Sequence, residues 1–374
     1  MSFVSRYLSY QHHTRFEVKL VFKSDIVVWV LDCGRLHHYI NSVVSTLSLL
    51  KLCSNQILPF PPLHTLFLSP LFALSVKMAN EEPVFYNVKE WIEENRSQFQ
   101  PPVCNKMMHN EGQMKAFFVG GPNQRKDYHI EEGEELFFML RGDMCLKVIE
   151  HGEFKDIPIC EGEIFRLPAR IAHSPQRLAN TIGMVLERER MKEPLELDGL
   201  RYHVEVDGQP THESLYEAWF YCSDLGKELA PIINGFFASE QYKTGRPLPG
   251  TIPDNPPIQL DSVTTLQRPF SLRQWIADHR ETIDTDGKEV MFGGATSQLQ
   301  VEVHGLGSSE LQCDSAEIWL WQLDGEATAT VDGKSYSLSK YDSLLIPVGK
   351  KCATTRPSGG VTLVCYQDAG RRRH

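Results

Sequence analysis

The sequence predicts a mainly β protein: two tandem jelly-roll β-barrels of one design, with a few flanking helices. Three observations carry this. A helix-start pattern occurs twice, as Asn87-Val-Lys-Glu90-Trp91-Ile92 followed after three residues by Arg96, and as Ser271-Leu-Arg-Gln274-Trp275-Ile276 followed likewise by Arg280. In each, a capping residue precedes Glu or Gln by three positions. Two strand patterns also recur in the same order. Glu134-Glu135-Leu-Phe-Phe-Met-Leu-Arg-Gly142 parallels Glu317-Ile318-Trp-Leu-Trp-Gln-Leu-Asp-Gly325, and Gly162-Glu-Ile-Phe-Arg-Leu-Pro168 parallels Tyr341-Asp-Ser-Leu-Leu-Ile-Pro347. The offsets are 184, 183 and 179, a drift that a hairpin loop absorbs. Finally, short apolar runs closed by Gly turns mark antiparallel β structure.

The bulk properties fit this. With 374 residues, 41% hydrophobic and 23% charged, the chain has the composition of a soluble globular protein of one large or two ordinary domains. A net charge of −10, with no basic tract beyond Arg371, Arg372 and Arg373, argues against a nucleic-acid partner. The nine cysteines are scattered and form no Cys-x-x-Cys pair, which suits reduced thiols and a cytoplasmic location.

Residues 1–77 differ from the rest. They carry seven Lys and Arg against three Asp and Glu, a net of +4, whereas residues 78–374 carry a net of −14. Their apolar pieces, Ile26 to Leu31 and Leu66 to Leu74, fall short of the roughly 18 to 20 residues that span a bilayer, so no membrane association is expected. The segment reads as an unstructured leader or gene-model extension before a natural start at Met78, with a transit peptide as the alternative.

The first copy, residues 78–243, holds the chemistry. His129 and Glu135 are six apart, and along a single strand an even spacing sends both side chains to one face, here the barrel interior. Gly133 gives the backbone freedom to bend between them. His173 follows Pro168 at the start of a later strand, and closure of a barrel brings it to the same cavity. Two imidazoles and one carboxylate are the ligand set of a non-haem Fe(II) site with open coordination positions. Taken singly, each of these residues is more simply structural, and Arg125 and Arg177 are more simply surface ion pairs; the joint spacing is what raises them. Glu187 lies in an alternating Glu-Arg-Glu-Arg run in which Glu189 shares its parity.

Further along, Ser214-Leu-Tyr-Glu217 reads as a helix cap, and residues 225–242 have helical spacing. Residues 244–260 form a Pro-rich linker without regular structure, with five prolines between Thr244 and Pro257. The second copy, residues 261–374, places Gln312, Ile318 and Cys352 where the first has His129, Glu135 and His173. It is therefore expected to keep the fold and bind no metal, with Trp319 and Trp321 as core or interface aromatics. Packed together, the copies would make a monomer that imitates a dimer.

These residues resemble the two cupin motifs. Glu135 is followed by six residues and Gly142, and Gly162, Pro168 and His173 fall in place in the second motif. Glu131 stands where cupins carry a second His, and Arg170 where they carry a Gly. Longer stretches resemble the animal-type 3-hydroxyanthranilate 3,4-dioxygenase family across about residues 85–370: Gln100 to Lys106, Gly120 to Glu135, His173 to Arg177 and Leu197 to Tyr202. The resemblance implies Fe(II) held by His129, Glu135 and His173. Arg125 and Arg177 would hold the substrate carboxylate and position O2, and Glu187 would accept a hydrogen bond from the substrate amine or hydroxyl. It also implies ring cleavage of a small aromatic substrate, 3-hydroxyanthranilate, to 2-amino-3-carboxymuconate semialdehyde, on the route from tryptophan to quinolinate and NAD. Two alternatives stay open: another metallocupin, such as a Zn sugar isomerase or Mn oxidase, and a non-catalytic two-cupin binding or storage protein.

Overall fold

The computed structural model describes residues 81–101 and 104–371, together with strands 4–10, 13–22 and 25–32 of the leader. The chain divides into two compact units, residues 1–75 and 76–374. In the first, β1 (Val4–Tyr10), β2 (His13–Phe22) and β3 (Asp25–Asp32) form an antiparallel sheet in that order. Residues 4–32, expected to lack regular structure, thus carry strands; the run of β-branched residues and Trp29 from Ile26 to Val30 suits an extended backbone. The apolar piece from Leu66 to Leu74 lies outside the described residues.

The second unit holds both copies. Strand β4 (Val84–Asn87) leads into helix α1 (Val88–Glu94), capped by the Asn87 side chain, which accepts from Glu90 N at 3.0 Å. One sheet of the first copy contains β5 (Asn105–His109), β6 (Met114–Gly120), β8 (Glu135–Arg141), β11 (Glu163–Leu167) and β13 (Ile182–Arg188), in the order β11-β8-β13-β6-β5. The facing sheet contains β7 (Tyr128–Ile130), β9 (Met144–Glu150), β10 (Glu153–Ile159), β12 (His173–Arg177), β14 (Asp198–Val206) and β15 (Gln209–Phe220), in the order β10-β9-β12-β7-β14-β15.

The second copy repeats the arrangement. Its strands β17 (Lys288–Phe292), β18 (Leu299–His304), β20 (Ile318–Asp324), β23 (Asp342–Ile346) and β25 (Val361–Gln367) run β17-β18-β25-β20-β23. Its other sheet, of β19 (Gly307–Leu311), β21 (Ala327–Val331), β22 (Lys334–Leu338) and β24 (Cys352–Arg356), runs β19-β24-β21-β22. Strand for strand this is the order of the first copy, with the β14–β15 hairpin as the first copy's addition.

The copies also exchange strands. β4 pairs with β23, Asn87 opposite Asp342; β16 (Phe270–Ser271) pairs with β11, Ser271 opposite Glu163. Each exchanged strand ends on the cap of the next helix. Ser271 accepts from Gln274 N at 3.2 Å to start α4 (Leu272–Asp278), the counterpart of α1. One apolar cluster then runs through both copies, with Trp91, Phe118, Leu136 and Ile164 from the first and Leu299, Val301, Trp319 and Trp321 from the second. Trp319 and Trp321 are core aromatics at the junction, as their sequence context suggests. Truncating so large a buried aromatic to Ala typically costs about 3–5 kcal/mol.

Two local expectations change. Ser214 to Glu217 cap no helix: they lie in β15, where Tyr216 faces Tyr202 and Ala218 faces Leu200. Pairing along a long aromatic hairpin outweighs a local capping signal. The helical stretch after it is two pieces, α2 (Leu225–Ala238) and α3 (Glu240–Thr244), because Ser239 restarts the helix by accepting from Tyr242 N at 3.2 Å. The Pro-rich segment has no regular structure, but it is no free spacer. Ile258 near its end is buried against Tyr128 and Ile130, and just beyond it Asp261 N donates to Arg170 O and Leu266 N to Glu150. Among the described residues all seven cysteines are free thiols, and no helix is long and apolar enough to cross a membrane.

Candidate metal centre

The barrel of the first copy brings three sequence-predicted residues to one point. His129 on β7 lies directly opposite His173 on β12, with ring centroids 5.3 Å apart. Glu135 opens β8 in the facing sheet, and its Oε1 lies 2.9 Å from His173 Nε2. One ligand atom from each of the three falls within 4.8 Å of the others, and all three side chains are buried. The route to this convergence differs from the even-spacing argument. His129 and Glu135 occupy two strands in opposite sheets, and the chain turns between them at residues 131–134. Gly133 serves that turn by its size: its φ is not positive, but a Cβ there would stand 2.9 Å from Glu131 Oε2.

Second contacts orient both imidazoles. His173 Nδ1 donates to Ile171 O at 3.0 Å, which leaves Nε2 facing Glu135. A ring nitrogen of His129, Nε2, lies 2.8 Å from Asp198 Oδ2. A carboxylate or carbonyl behind a ligating imidazole fixes its tautomer and raises its basicity. Asp198 belongs to β14, in the hairpin that the second copy lacks. Arg190 grips Asp198 through Nε and Nη2, both at 2.8 Å, and also reaches Glu187 Oε1 and Glu131 Oε2 at 2.8 Å each.

The electrostatics are those of a site built for a cation. Four buried acidic side chains, Glu131, Glu135, Glu187 and Asp198, outnumber the two buried guanidiniums beside them, Arg177 and Arg190. Burial alone would raise the Glu135 carboxyl; His173 and His129 outweigh it and bring it down to about 2. Burial lowers the His173 imidazolium, yet Glu135 more than restores it. Burial also pushes Glu187 up to about 7 against the pull of Arg190, and holds Glu131 well above the usual carboxylate range. Glu135 Oε1 and Glu187 Oε2 are sealed from solvent without an aligned donor. Two ligands that converge on a common ion make such a close but unaligned contact, so the residues fit a divalent metal.

Arg177 sits on β12, its backbone bonded to Asn123 at 2.8 and 2.9 Å. Its Nε and Nη2 are buried without a partner, and burial, with Arg125 nearby, lowers it to about 10. Arg125 is engaged: its guanidinium holds Asp127, with Nε 3.0 and 3.2 Å from the carboxylate oxygens. Glu187 and Glu189 are resolved by the end of β13 at Arg188, since Glu187 points inward and Glu189 is exposed. Arg190 and Asp198 escaped the sequence analysis. Arg190 reads as one more charge in an alternating run, and Asp198 sits inside one of the family-like stretches without a spacing of its own.

The second copy has apolar side chains at the corresponding places. Ile318 opens β20 as Glu135 opens β8, and Cys352 opens β24 as His173 opens β12. The third counterpart is Leu311, not Gln312, because Leu311 is the residue that faces Cys352 across the ladder. Gln312 is exposed and bonds Asp314 and Gly349 O. Ile318 and Cys352 are buried among Leu320, Ala329, Leu344 and Val364, with Leu311 packed against them.

The backbone keeps the motif glycines even where the residues changed. Gly142 and Gly325 have φ of +65° and +59°. Gly162 at +81° is matched by Tyr341 at +78°, and Arg170 at +63° by Gly349 at +77°. Each copy thus retains the left-handed turn that the other builds from glycine.

Residues 78–237 match the family model described as 3-hydroxyanthranilic acid dioxygenase. Among full-length relatives, the chain is 50% identical over 281 residues to "3-hydroxyanthranilate 3,4-dioxygenase" of Rattus norvegicus, covering 75% of this chain and 95% of that one. It is 50% identical over 288 residues to the protein of the same name from Bos taurus, covering 77% and 97%. The Nematostella vectensis protein of that name is 48% identical over 280 residues, covering 75% and 98%.

Proposed function

The chain belongs to the 3-hydroxyanthranilate 3,4-dioxygenase family, and on that premise we propose that it opens the ring of 3-hydroxyanthranilate at an Fe(II) centre held by His129, Glu135 and His173. It is a ring-cleaving dioxygenase whose product is 2-amino-3-carboxymuconate semialdehyde, with both atoms of O2 inserted. The observation that carries the residue assignment is the convergence of those three ligand atoms beside a buried, unpartnered Arg177.

Bound there, Fe(II) would chelate the neighbouring hydroxyl and amine of the substrate and relay electron density between the ring and O2. The protein's part is positioning. Arg177 offers Nε and Nη2, a planar fork that matches a carboxylate. Gripping the carboxylate fixes the ring's orientation at the metal. Arg125, tethered to Asp127 within range of the Glu135 and Arg177 charges, completes the cationic side and is assigned to O2. Glu187, with Oε1 held by Arg190 and Oε2 free of partners, is placed to accept a proton or hydrogen bond from the substrate hydroxyl or amine.

The reading extends to the domains: a catalytic copy at 78–243, a linker at 244–260 and a metal-free copy at 261–374, working as a monomer in the cytoplasm. Sedimentation of an obligate dimer would refute the monomer. The decisive experiment adds Fe(II), O2 and 3-hydroxyanthranilate to purified protein and follows the muconate chromophore. No absorbance rise with iron-loaded protein would reject the assignment. Full activity with Zn alone would favour another metallocupin chemistry.

A further inference from the structure

Cupin-like barrels bind metals through up to four side chains, and Glu131 occupies the place of the fourth. It is an acidic, buried, potentially ligating residue two positions from His129, and its carboxylate lies within 4.8 Å of those of Glu135 and Glu187. Its carboxylate faces Arg190, at 2.8 Å.

Arg190 is wholly enclosed and spends its donors on acidic groups. Nε and Nη2 take the two oxygens of Asp198, Nη2 also meets Glu131, and Nη1 takes Glu187 Oε1 and Arg188 O, the last at 3.0 Å. The planar fork therefore hydrogen-bonds Asp198 and Glu187 and pairs by charge with Glu131, whose oxygens have no aligned donor. One of them, Asp198, fixes the His129 ring through Nε2, which leaves Nδ1 as the nitrogen free to ligate. The other two, Glu131 and Glu187, each bring an oxygen within 4.8 Å of one on Glu135. Resting on the assignment of His129, Glu135 and His173 as ligands, we propose that Arg190 is a positioning residue that withholds Glu131 from the metal while bracing His129 through Asp198, and so sets the number of open coordination positions.

The reasoning is one of competing cations. A buried carboxylate needs a counter-charge. With Arg190 present, Glu131 has one that is not the metal. With Arg190 removed, the proposed metal ion is the cation left to Glu131, whose carboxylate already lies within 4.8 Å of a Glu135 oxygen. An octahedral ion with three protein ligands leaves three positions for water or substrate; a fourth ligand would close one of them.

Water-proton relaxation of the Mn(II)-loaded protein reports the number of bound waters without turnover. Arg190→Gln is expected to lose about a third of the inner-sphere relaxivity as one of three waters is displaced. Glu131→Gln is expected to leave both relaxivity and Mn(II) affinity unchanged. Arg190→Gln combined with Glu131→Gln is expected to recover the wild-type relaxivity, since the displacing carboxylate is gone; a merely structural role for Arg190 would not be reversed in this way. The proposal is overturned if relaxivity is the same in Arg190→Gln as in wild type, or if Glu131→Gln alone weakens Mn(II), which would make Glu131 a native ligand. The second outcome remains available should Arg190→Gln fail to fold. Wild-type protein that binds no Mn(II) would instead take down the metal-site assignment itself.

Discussion

Glu134 and Glu317 are equivalent positions in the two copies, and replacing each by Ala separates stability from site geometry. Glu134 precedes the proposed ligand Glu135 and points the other way, into the second copy. There its Oε2 accepts from Leu299 N at 2.8 Å and from Ser297 Oγ at 2.7 Å. Glu317 precedes Ile318, and its Oε2 accepts from Met114 N of the first copy at 2.8 Å. In Glu134→Ala, Ser297 can redirect its proton to Leu299 O, 2.9 Å away, but Leu299 N–H is left buried without an acceptor. A lost charge-assisted bond and a stranded amide together cost about 3–5 kcal/mol. That is a large share of the 5–15 kcal/mol typical of a folded protein, or roughly 5–8 °C in melting temperature for a unit of this size. Glu317→Ala is expected to destabilise by a similar order. The two should part at the metal. Glu134 anchors the turn that links His129 to Glu135, so its loss is expected to weaken Mn(II) about tenfold, the low end for residues that orient ligands. Glu317→Ala should leave Mn(II) affinity within twofold. Urea unfolding and Mn(II) titration of both variants test this. A cost below about 1 kcal/mol for Glu134→Ala, or equal weakening of the metal by both, would refute the reasoning.

Other outcomes follow from single features of the structure. Arg177→Lys replaces a fork with a point charge and should raise KM for 3-hydroxyanthranilate about 10–100-fold while Mn(II) binding is retained, which kinetics and titration together would check. Gly162→Ala should cost about 1–2 kcal/mol, because its φ of +81° penalises a Cβ although nothing lies within 4 Å; thermal melting decides. His203 is buried with neither ring nitrogen bonded by a side chain, and burial, reinforced by Arg201, lowers it to about 4. The unfolded state therefore protonates first, at about 6.5, and stability falls as pH drops from there towards 4. In His203→Leu the pH slope of unfolding free energy across that window should shrink by about 1.4 kcal/mol per pH unit; an unchanged slope would show that His203 does not titrate this way.

The fold was legible where side-chain pattern and backbone rule coincide. The paired helix starts at Asn87 and Ser271 could be read because a cap needs an oxygen acceptor at one position and the structure uses it there. The strand repeat could be read because Gly142, Gly162, Gly325 and their partners punctuate it. Topology was not legible: no local pattern says that β4 and β16 cross to the other copy. In the site, His129, Glu135 and His173 were found by spacing, though for a wrong geometric reason, since they meet across two sheets. Arg190 and Asp198 were missed because their meaning lies in what they face, and eight residues of separation along the chain carry no period that would align them. Gln312 was one residue out for the same reason: a register is set by the ladder between Leu311 and Cys352, not by an offset taken from elsewhere in the repeat.

The second copy lacks ligands, yet it contributes to the first copy's chemistry through the turn at residues 131–134. Gln298 Nε2 donates to Glu132 O at 2.8 Å and Gln367 Nε2 to Glu134 O at 2.7 Å, while Ser297 and Leu299 hold the Glu134 carboxylate. Gln298 also accepts from Arg188, which pairs with Glu196 beside the Arg190 cluster. A turn between two proposed metal ligands must be rigid, because a small displacement of one ligand is a large error in coordination. Regular pairing cannot supply that rigidity, since the chain is leaving one sheet for the other at that point. The bonds come instead from a neighbouring barrel of the same design. Its interior is free to be filled by Ile318, Leu320 and Cys352 because its task is at its surface. An interior filled with apolar side chains is thus compatible with a whole second barrel, and the bond from Met114 N to Glu317 is the symmetric counterpart of the bond from Leu299 N to Glu134.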